Sequence, residues 1–312
     1  MKLHIERVIS VAKPAATVYG IVSDLAFWNT WSPWIHMEPT AKTKITGKQG
    51  VGQKQSWDGD VIGAGNMEIT KLENNKSVQM RLEFLKPWKN VAQVAFTFIE
   101  QGPNHCEVRW SMDCGLPLFM IFFKKMMTAY IQSDYDRGLK MLKEFAETGS
   151  VPSHSLFQGV KKQEPFQIVG KTTSCKIIDI ATSMHRDFSE MNDLVKNHTL
   201  SPPLKAMAVT HEFNIPKGTC KYTAGFYYRA DQDVKVPAGF THEKYPEHST
   251  LLVDHHGPYR FLGNPWSMAM TYQRGKKFKF LKKVPLYEVY VTLPDGRAEK
   301  DIHTQIFVPV KT

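Results

Sequence analysis

From Thr40 to Asp113 the chain alternates apolar and polar residues, and turn-forming residues break the alternation repeatedly. Val78, Met80, Leu82 and Phe84 form one apolar face, and Cys106, Val108, Trp110 and Met112 form another. Successive side chains of a strand point to opposite faces, so a period of two with one apolar set specifies a half-buried strand. The breaks at 47–52, Asp58-Gly59, Asn74-Asn75, Lys86-Pro87 and Gly102-Pro103-Asn104 are all rich in turn formers. The run predicts an antiparallel meander of about six strands.

Its flanks add to this sheet. Leu3, Ile5, Ile9 and Val11 read as a strand, and Pro14 opens a short helix in which Ala15, Val18, Tyr19, Val22 and Leu25 recur at helical spacing. From Pro117 to Ala146, Phe119, Phe122, Phe123, Met126, Tyr130, Ile131, Leu139, Leu142 and Phe145 keep a three-to-four spacing, which predicts a long amphipathic helix laid on the sheet. A curved sheet gripping one helix often leaves a cavity between them. Trp31, Trp34, Trp57, Trp88 and Trp110 supply walls for such a cavity or rings for a solid core, and for any one tryptophan the core is the simpler reading.

At 312 residues the chain is long enough for two domains. Periodicity lapses from Thr148 to Pro165, which is polar and interrupted by Gly149, Pro152 and Gly159. This predicts a first domain over 1–150, a linker over 151–164 and a second domain over 165–312. In the second, Gln167–Ile180 is strand-like, Asp187–Asn197 helical, and Lys205–Asn214 and Tyr222–Arg229 strand-like. Phe240–His256 is again strand-like, Tyr259–Gln273 largely helical, and Tyr287–Thr292 and His303–Val310 strand-like. The order βαββ is thus written twice, an α+β module whose central crease is a natural ligand site.

Composition narrows the function. Hydrophobic residues at 42% and charged residues at 22% exclude long disorder, collagen and a repeat array. The net charge of +10 raises nucleic acid or an anionic membrane surface as partners. The basic surplus is diffuse, however: 18 basic and 15 acidic residues up to Ser150, then 22 and 15, with one local run at Lys276, Lys277, Lys279, Lys282 and Lys283. Sequence-specific nucleic acid binding is not expected. No segment approaches the roughly 18 apolar residues of a membrane span, and the N-terminus has no apolar signal core. Cys106, Cys114, Cys175 and Cys220 form no CxxC pair, so a zinc ribbon or disulfide framework is not indicated, and a soluble cytoplasmic protein is expected.

Two stretches resemble known families. Residues 1 to about 147 carry Val22-Ser23-Asp24, Trp28, Trp31-Ser32-Pro33-Trp34, Met37-Glu38-Pro39, Leu82-Glu83-Phe84-Leu85-Lys86-Pro87 and Val108-Arg109-Trp110-Ser111-Met112, and resemble the polyketide cyclase/dehydrase branch of the START-like (SRPBCC) superfamily. The resemblance implies a helix-grip fold with a ligand cavity and identifies no catalytic set. Residues from about 165 carry Ala224-Gly225-Phe226, Val236-Pro237-Ala238-Gly239, His256-Gly257-Pro258-Tyr259, Leu286-Tyr287-Glu288-Val289-Tyr290 and Ile306-Phe307-Val308-Pro309-Val310. This half resembles the GyrI-like effector-binding domains of bacterial transcription regulators. A START-like domain stands where a helix-turn-helix would usually precede that module, which removes the element that would read DNA.

The second resemblance implies that Glu288 points into the pocket, where a carboxylate among aromatics can attract a cation or act as an acid or base. From the residues alone, a solvent-facing strand glutamate is the simpler reading. Tyr228, Tyr259, Trp266 and Tyr287 are candidate walls around it, and Trp57 and Trp110 candidate walls in the first domain. His242, His248, His255 and His256 match no metal-ligand spacing, and adjacent His255 and His256 on a strand should face opposite sides. No cofactor or metal is expected, and no hydrolase, phosphate-loop or dinucleotide motif stands in a supporting context. The expected activity is small-molecule binding, as a sensor or carrier of a hydrophobic or cationic ligand, with a separate transcription regulator as candidate partner. The alternative is a hydrolase or cyclase using Glu288 as general acid or base.

Overall fold

A computed structural model describes residues 2–115 and 122–311. The chain divides into two compact units, Met1–Val151 and Pro152–Thr312. Each is α+β, with helices and one antiparallel main sheet.

The first unit runs β1 (Lys2–Val11), α1 (Ala15–Val22), α2 (Trp28–Trp31), β2 (Lys42–Thr46), β3 (Lys54–Asp58), β4 (Ala64–Glu73), β5 (Ser77–Lys86), β6 (Asn90–Glu100), β7 (Cys106–Gly115) and α3 (Lys124–Thr148). The six strands β2 to β7 form the expected meander, and β1 adds a seventh by pairing with β7, Val11 lying opposite Cys106. The β4–β5 turn holds Asn75 at φ 55°, a left-handed conformation that asparagine tolerates better than most residues.

Two of the quoted motifs have structural work to do. The Asp24 carboxylate takes the Ala26 N–H at 2.9 Å and the Gln53 amide at 3.0 Å, while the Gln53 carbonyl oxygen takes the Leu25 N–H at 2.8 Å. Buried Glu38 accepts the backbone N–H groups of Asp60, Val61 and Ile62 at 2.7, 3.0 and 2.9 Å, which fixes the loop between β3 and β4. Both carboxylates serve loop backbone, so neither is spare for chemistry.

Helix α3 is held along β1 by a two-pronged Arg7–Asp136 contact at 2.6 and 2.8 Å, and it ends at Gly149, whose φ of 82° places it in the left-handed cap position. Its buried residues are Tyr135, Arg137, Gly138, Leu139, Met141, Leu142 and Ala146. Phe122, Phe123, Met126 and Tyr130, expected among them, are exposed. A three-to-four spacing sets the angle of an apolar stripe but not how far along the helix neighbouring elements cover it. The start of the expected helix, from Pro117 to position 121, lies outside the described residues.

The second unit runs β8 (His154–Gln163), β9 (Phe166–Lys176), α4 (Ile180–Lys196), β10 (Lys205–Asn214), β11 (Thr219–Arg229), β12 (Thr241–Tyr245), β13 (His248–His256), α5 (Gly263–Gly275), β14 (Lys279–Phe280), β15 (Leu286–Tyr290) and β16 (His303–Lys311). The sheet order is β12-β9-β11-β10-β15-β16-β13-β8, with β14 on β16. Strands β10 and β15 therefore meet at its centre, with Ala208 opposite Glu288.

Several boundaries differ from expectation; α4 starts at Ile180, seven residues before the expected Asp187, and β9 ends at Lys176 rather than Ile180. Residues 154–163 are not a linker but strand β8, paired with β13. Its register shifts opposite Leu252 and Val253, and Gly159 there has a φ of 80°; a bulge with a glycine breaks alternation and reads as a loop in sequence. The stretch Phe240–His256 is two strands, β12 beside β9 and β13 between β16 and β8, parted at Pro246, which has no N–H to give a ladder.

A substitution at Gly138 tests the packing of α3. In an exposed helix Gly→Ala would stabilise by about 1 kcal/mol. A Cβ at Gly138 would stand 2.7 Å from the Trp110 ring and 3.0 Å from Pro33. Overpacking of that kind costs about 1–3 kcal/mol, so Gly138→Ala should lower the urea midpoint of the full chain. A raised midpoint would show that the helix does not lie this close to Trp110.

Candidate functional site

In the first unit the space beneath α3 is filled by aromatic rings. Trp110 on β7 stacks on Phe96 at 4.9 Å and on Tyr135 at 3.9 Å, and Trp31 meets Phe96 and Trp110 edge-on at 5.9 and 5.7 Å. Trp110 is thus a core ring in a three-ring stack. Three buried polar atoms there, Nε1 of Trp31 and of Trp110 and the Tyr135 hydroxyl, have no hydrogen-bond partner among the described residues. Burial pushes the Tyr135 phenol well above its ordinary value. Trp57 lies apart from this stack, with Thr43, Gly65, Leu85 and Lys86 in an open cleft of about 430 Å³ that Trp110 does not line.

In the second unit Glu288 sits mid-strand in β15, opposite Ala208 of β10 and Ile306 of β16, and only 6% of it is exposed. One carboxylate oxygen accepts the indole N–H of Trp266, from α5, at 2.7 Å; the other accepts the hydroxyl of Tyr290 at 2.5 Å. The Tyr290 ring meets Tyr259 at 5.3 Å and Phe188 of α4 at 5.6 Å, and the Met184 sulfur lies 3.8 Å from its hydroxyl. Tyr259 is 37% exposed, so this aromatic shell reaches solvent on that side.

The unit holds a second buried carboxylate, and the contrast is informative. Asp187 on α4 accepts the Tyr222 hydroxyl at 2.8 Å and the Arg186 guanidinium at 2.9 Å. Burial opposes its charge, but hydrogen bonds from Thr173, Arg186 and Tyr222 outweigh burial and hold the carboxyl below its ordinary value. At Glu288 burial wins: it raises the carboxyl pKa, and the bonds from Tyr290 and Trp266 offset it only in part. Among the described residues no cation pairs with Glu288. The neighbouring phenols respond in turn, Tyr259 being pushed up to about 12 by burial and then by the Glu288 charge.

Of the residues singled out in sequence, Glu288, Trp266 and Tyr259 come together. Tyr287 does not: it faces the other side of the sheet, stacked on Phe307 at 4.6 Å with its hydroxyl 3.1 Å from His248. Adjacent strand residues must diverge in this way, and the same rule brings Tyr290, two residues from Glu288, to its side. Tyr228 packs with Val169, Met191 and Phe226 and donates its hydroxyl to the Ser201 carbonyl at 2.8 Å, a core role away from Glu288. Tyr290, Phe188 and Met184 went unread; alternation from Glu288 points to the first, but the α4 pair depends on helix placement. His242, His248 and His255 are engaged with Gln167, Tyr287 and Ser155, and His256 stacks on His303. Among the described residues no group of three or more His, Cys, Asp or Glu side chains is placed to hold a metal, and no helix is long and apolar enough to cross a membrane.

Residues 2–147 match the family described as polyketide cyclase/dehydrase and lipid transport. A comparison with curated proteins gives no match. Among solved structures, 47% of the chain aligns with 98% of the Aha1 dimer protein from Colwellia psychrerythraea at 20% identity and a TM-score of 0.35. The same share aligns with 94% of the Zhui aromatase/cyclase from a Streptomyces species at 16% identity and a TM-score of 0.38. It also aligns with 95% of a truncated norcoclaurine synthase from Thalictrum flavum at 13% identity and a TM-score of 0.38. The family match falls within the first unit.

The raised carboxyl at Glu288 has a consequence for stability. A group that binds its proton more tightly when folded loses stability as pH rises from its unfolded value through its folded one. Glu288 therefore favours the folded state most below its ordinary pKa of 4.5 and weakens it as pH climbs above that value. Glu288→Gln should flatten this fall, so the variant gains stability relative to wild type as pH rises above the ordinary value, read by thermal unfolding of the full chain. A gap independent of pH would contradict the raised value.

Proposed function

We propose that the protein binds small molecules without transforming them, and that the second unit is a GyrI-like effector-binding module, a duplicated βαββ fold whose site is Glu288 with Trp266, Tyr290 and Tyr259. The observation that carries this reading is a buried carboxylate with neutral donors on both oxygens and, among the described residues, no cation beside it. Holding such a charge away from water is costly unless a partner of opposite charge arrives. A flat cation would supply the charge, and the faces of Tyr259 and Trp266 would attract it further. Thr304 adds support: directly opposite Tyr290, its buried hydroxyl has no partner among the described residues. In the first unit the rings of Trp31, Trp110 and Tyr135 fill the core, and the open cleft beside Trp57 is the candidate ligand site. Neither ligand site includes a DNA-reading element, and the chain serves as a sensor or carrier, with a separate regulator as its candidate partner.

A hydrolase or cyclase is the second reading, favoured by the raised Glu288 carboxyl, which is tuned toward proton exchange nearer neutrality. One variant separates the two. Glu288→Gln keeps the shape and removes the charge, so at pH 7.5 N-methylquinolinium should bind about tenfold to a hundredfold more weakly to it than to wild type, whereas uncharged 4-methylquinoline should hardly change. Calorimetric titration reads both. Equal affinities of wild type and variant for the cation would remove Glu288 from the site. Binding retained with turnover lost, on a panel of electrophilic compounds, would favour the enzyme.

A further inference from the structure

Cys175 and Cys220 are 45 residues apart in sequence, with no motif to link them. The pairing of β9 with β11 puts them directly opposite each other, and their sulfurs lie 3.5 Å apart. Opposite residues of antiparallel strands have Cα atoms about 4.5 or 5.5 Å apart, and both separations fall within the roughly 4.4–6.8 Å that a disulfide spans. Closing the sulfurs to a bond of about 2.05 Å needs a shift of about 1.5 Å, the scale of a side-chain rotation. Surroundings distinguish the two thiols. Cys175 is partly exposed, whereas Cys220 is buried, and Ile177, Ile180, Met184 and Phe188 pack with Cys175 against the cluster that holds Cys220.

We propose that Cys175 and Cys220 are a redox-active pair, which a low-molecular-weight disulfide of the glutathione type converts into a cross-strand disulfide. The more accessible thiol, Cys175, reacts first. The Cys175 thiolate attacks one sulfur of the oxidised tripeptide, its S–S bond breaks, and one glutathione leaves as thiolate and takes up a proton. The Cys220 thiolate then attacks the Cys175 sulfur, the mixed disulfide breaks, and the second glutathione leaves. Two protein thiols are oxidised to one disulfide, and one glutathione disulfide is reduced to two thiols. The second step is slow near neutrality and speeds with pH, because burial, and then the neighbouring thiol, push Cys220 up to about 12 and the thiolate is the nucleophile.

The test treats the reduced full chain with oxidised glutathione and reads it by intact mass and peptide mapping. Wild type should lose about 2 Da, the two hydrogens of thiol oxidation, keep no glutathione at this pair, and yield a Cys175–Cys220 cross-linked peptide. Cys220→Ser should stop with glutathione on Cys175, and Cys175→Ser should leave Cys220 unmodified. Resolution of the wild-type mixed disulfide should speed about tenfold from pH 7 to pH 8. Because wild type supplies the cross-link by itself, poor folding of a variant would not spare the proposal. Glutathione persisting on wild-type Cys175, or a Cys175–Cys220 pair still reduced after Cys106 or Cys114 has reacted, would overturn it.

Discussion

The two-residue period of an antiparallel strand governs what each sheet can present. On β15 it sends Tyr287 and Val289 into one apolar cluster and turns Glu288 and Tyr290 to the opposite face, toward α4 and α5. The carboxylate then meets a donor from its own strand and one from a helix, which is why both of its oxygens are occupied while its charge stays unmatched. On β7 the same period places Trp110 between Phe96 and Tyr135, and this stack sets how closely α3 can approach.

Two buried carboxylates in the second unit show how environment divides roles. Asp187 has a guanidinium and a phenol, holds its charge, and ties α4 to β11 through Tyr222. Glu288 has a phenol and an indole but, among the described residues, no cation, so burial prevails and its proton is held more tightly. The first arrangement is complete within the protein. The second is complete only with a positively charged partner or with a proton, and both readings of function rest on that difference.

The sequence disclosed much of this, unevenly. The β2–β7 meander was legible because alternation and turn residues agree over more than 70 positions. The stripe of α3 was legible in angle but not in extent, since coverage depends on the elements around it. Strand β8 was hidden by Gly159 and a register shift, and the break at Pro246 separated two strands that a single apolar run had joined. Glu288 could be named from its motif, and Tyr290 from its spacing. Phe188 and Met184 could not, because nothing local says where α4 lies over the sheet. The Cys175–Cys220 contact was equally hidden, being a product of strand register alone.

The central claim is that Glu288 holds a buried carboxyl whose charge the protein leaves unmatched. Its most direct test follows the carbon-13 chemical shift of that carboxyl through a pH titration of the full chain, with Glu288→Gln to assign the signal. The account predicts a midpoint above the ordinary glutamate value of 4.5, moving downward when N-methylquinolinium is added, because a bound cation favours the charged form. A midpoint at the ordinary value, unmoved by the cation, would contradict it.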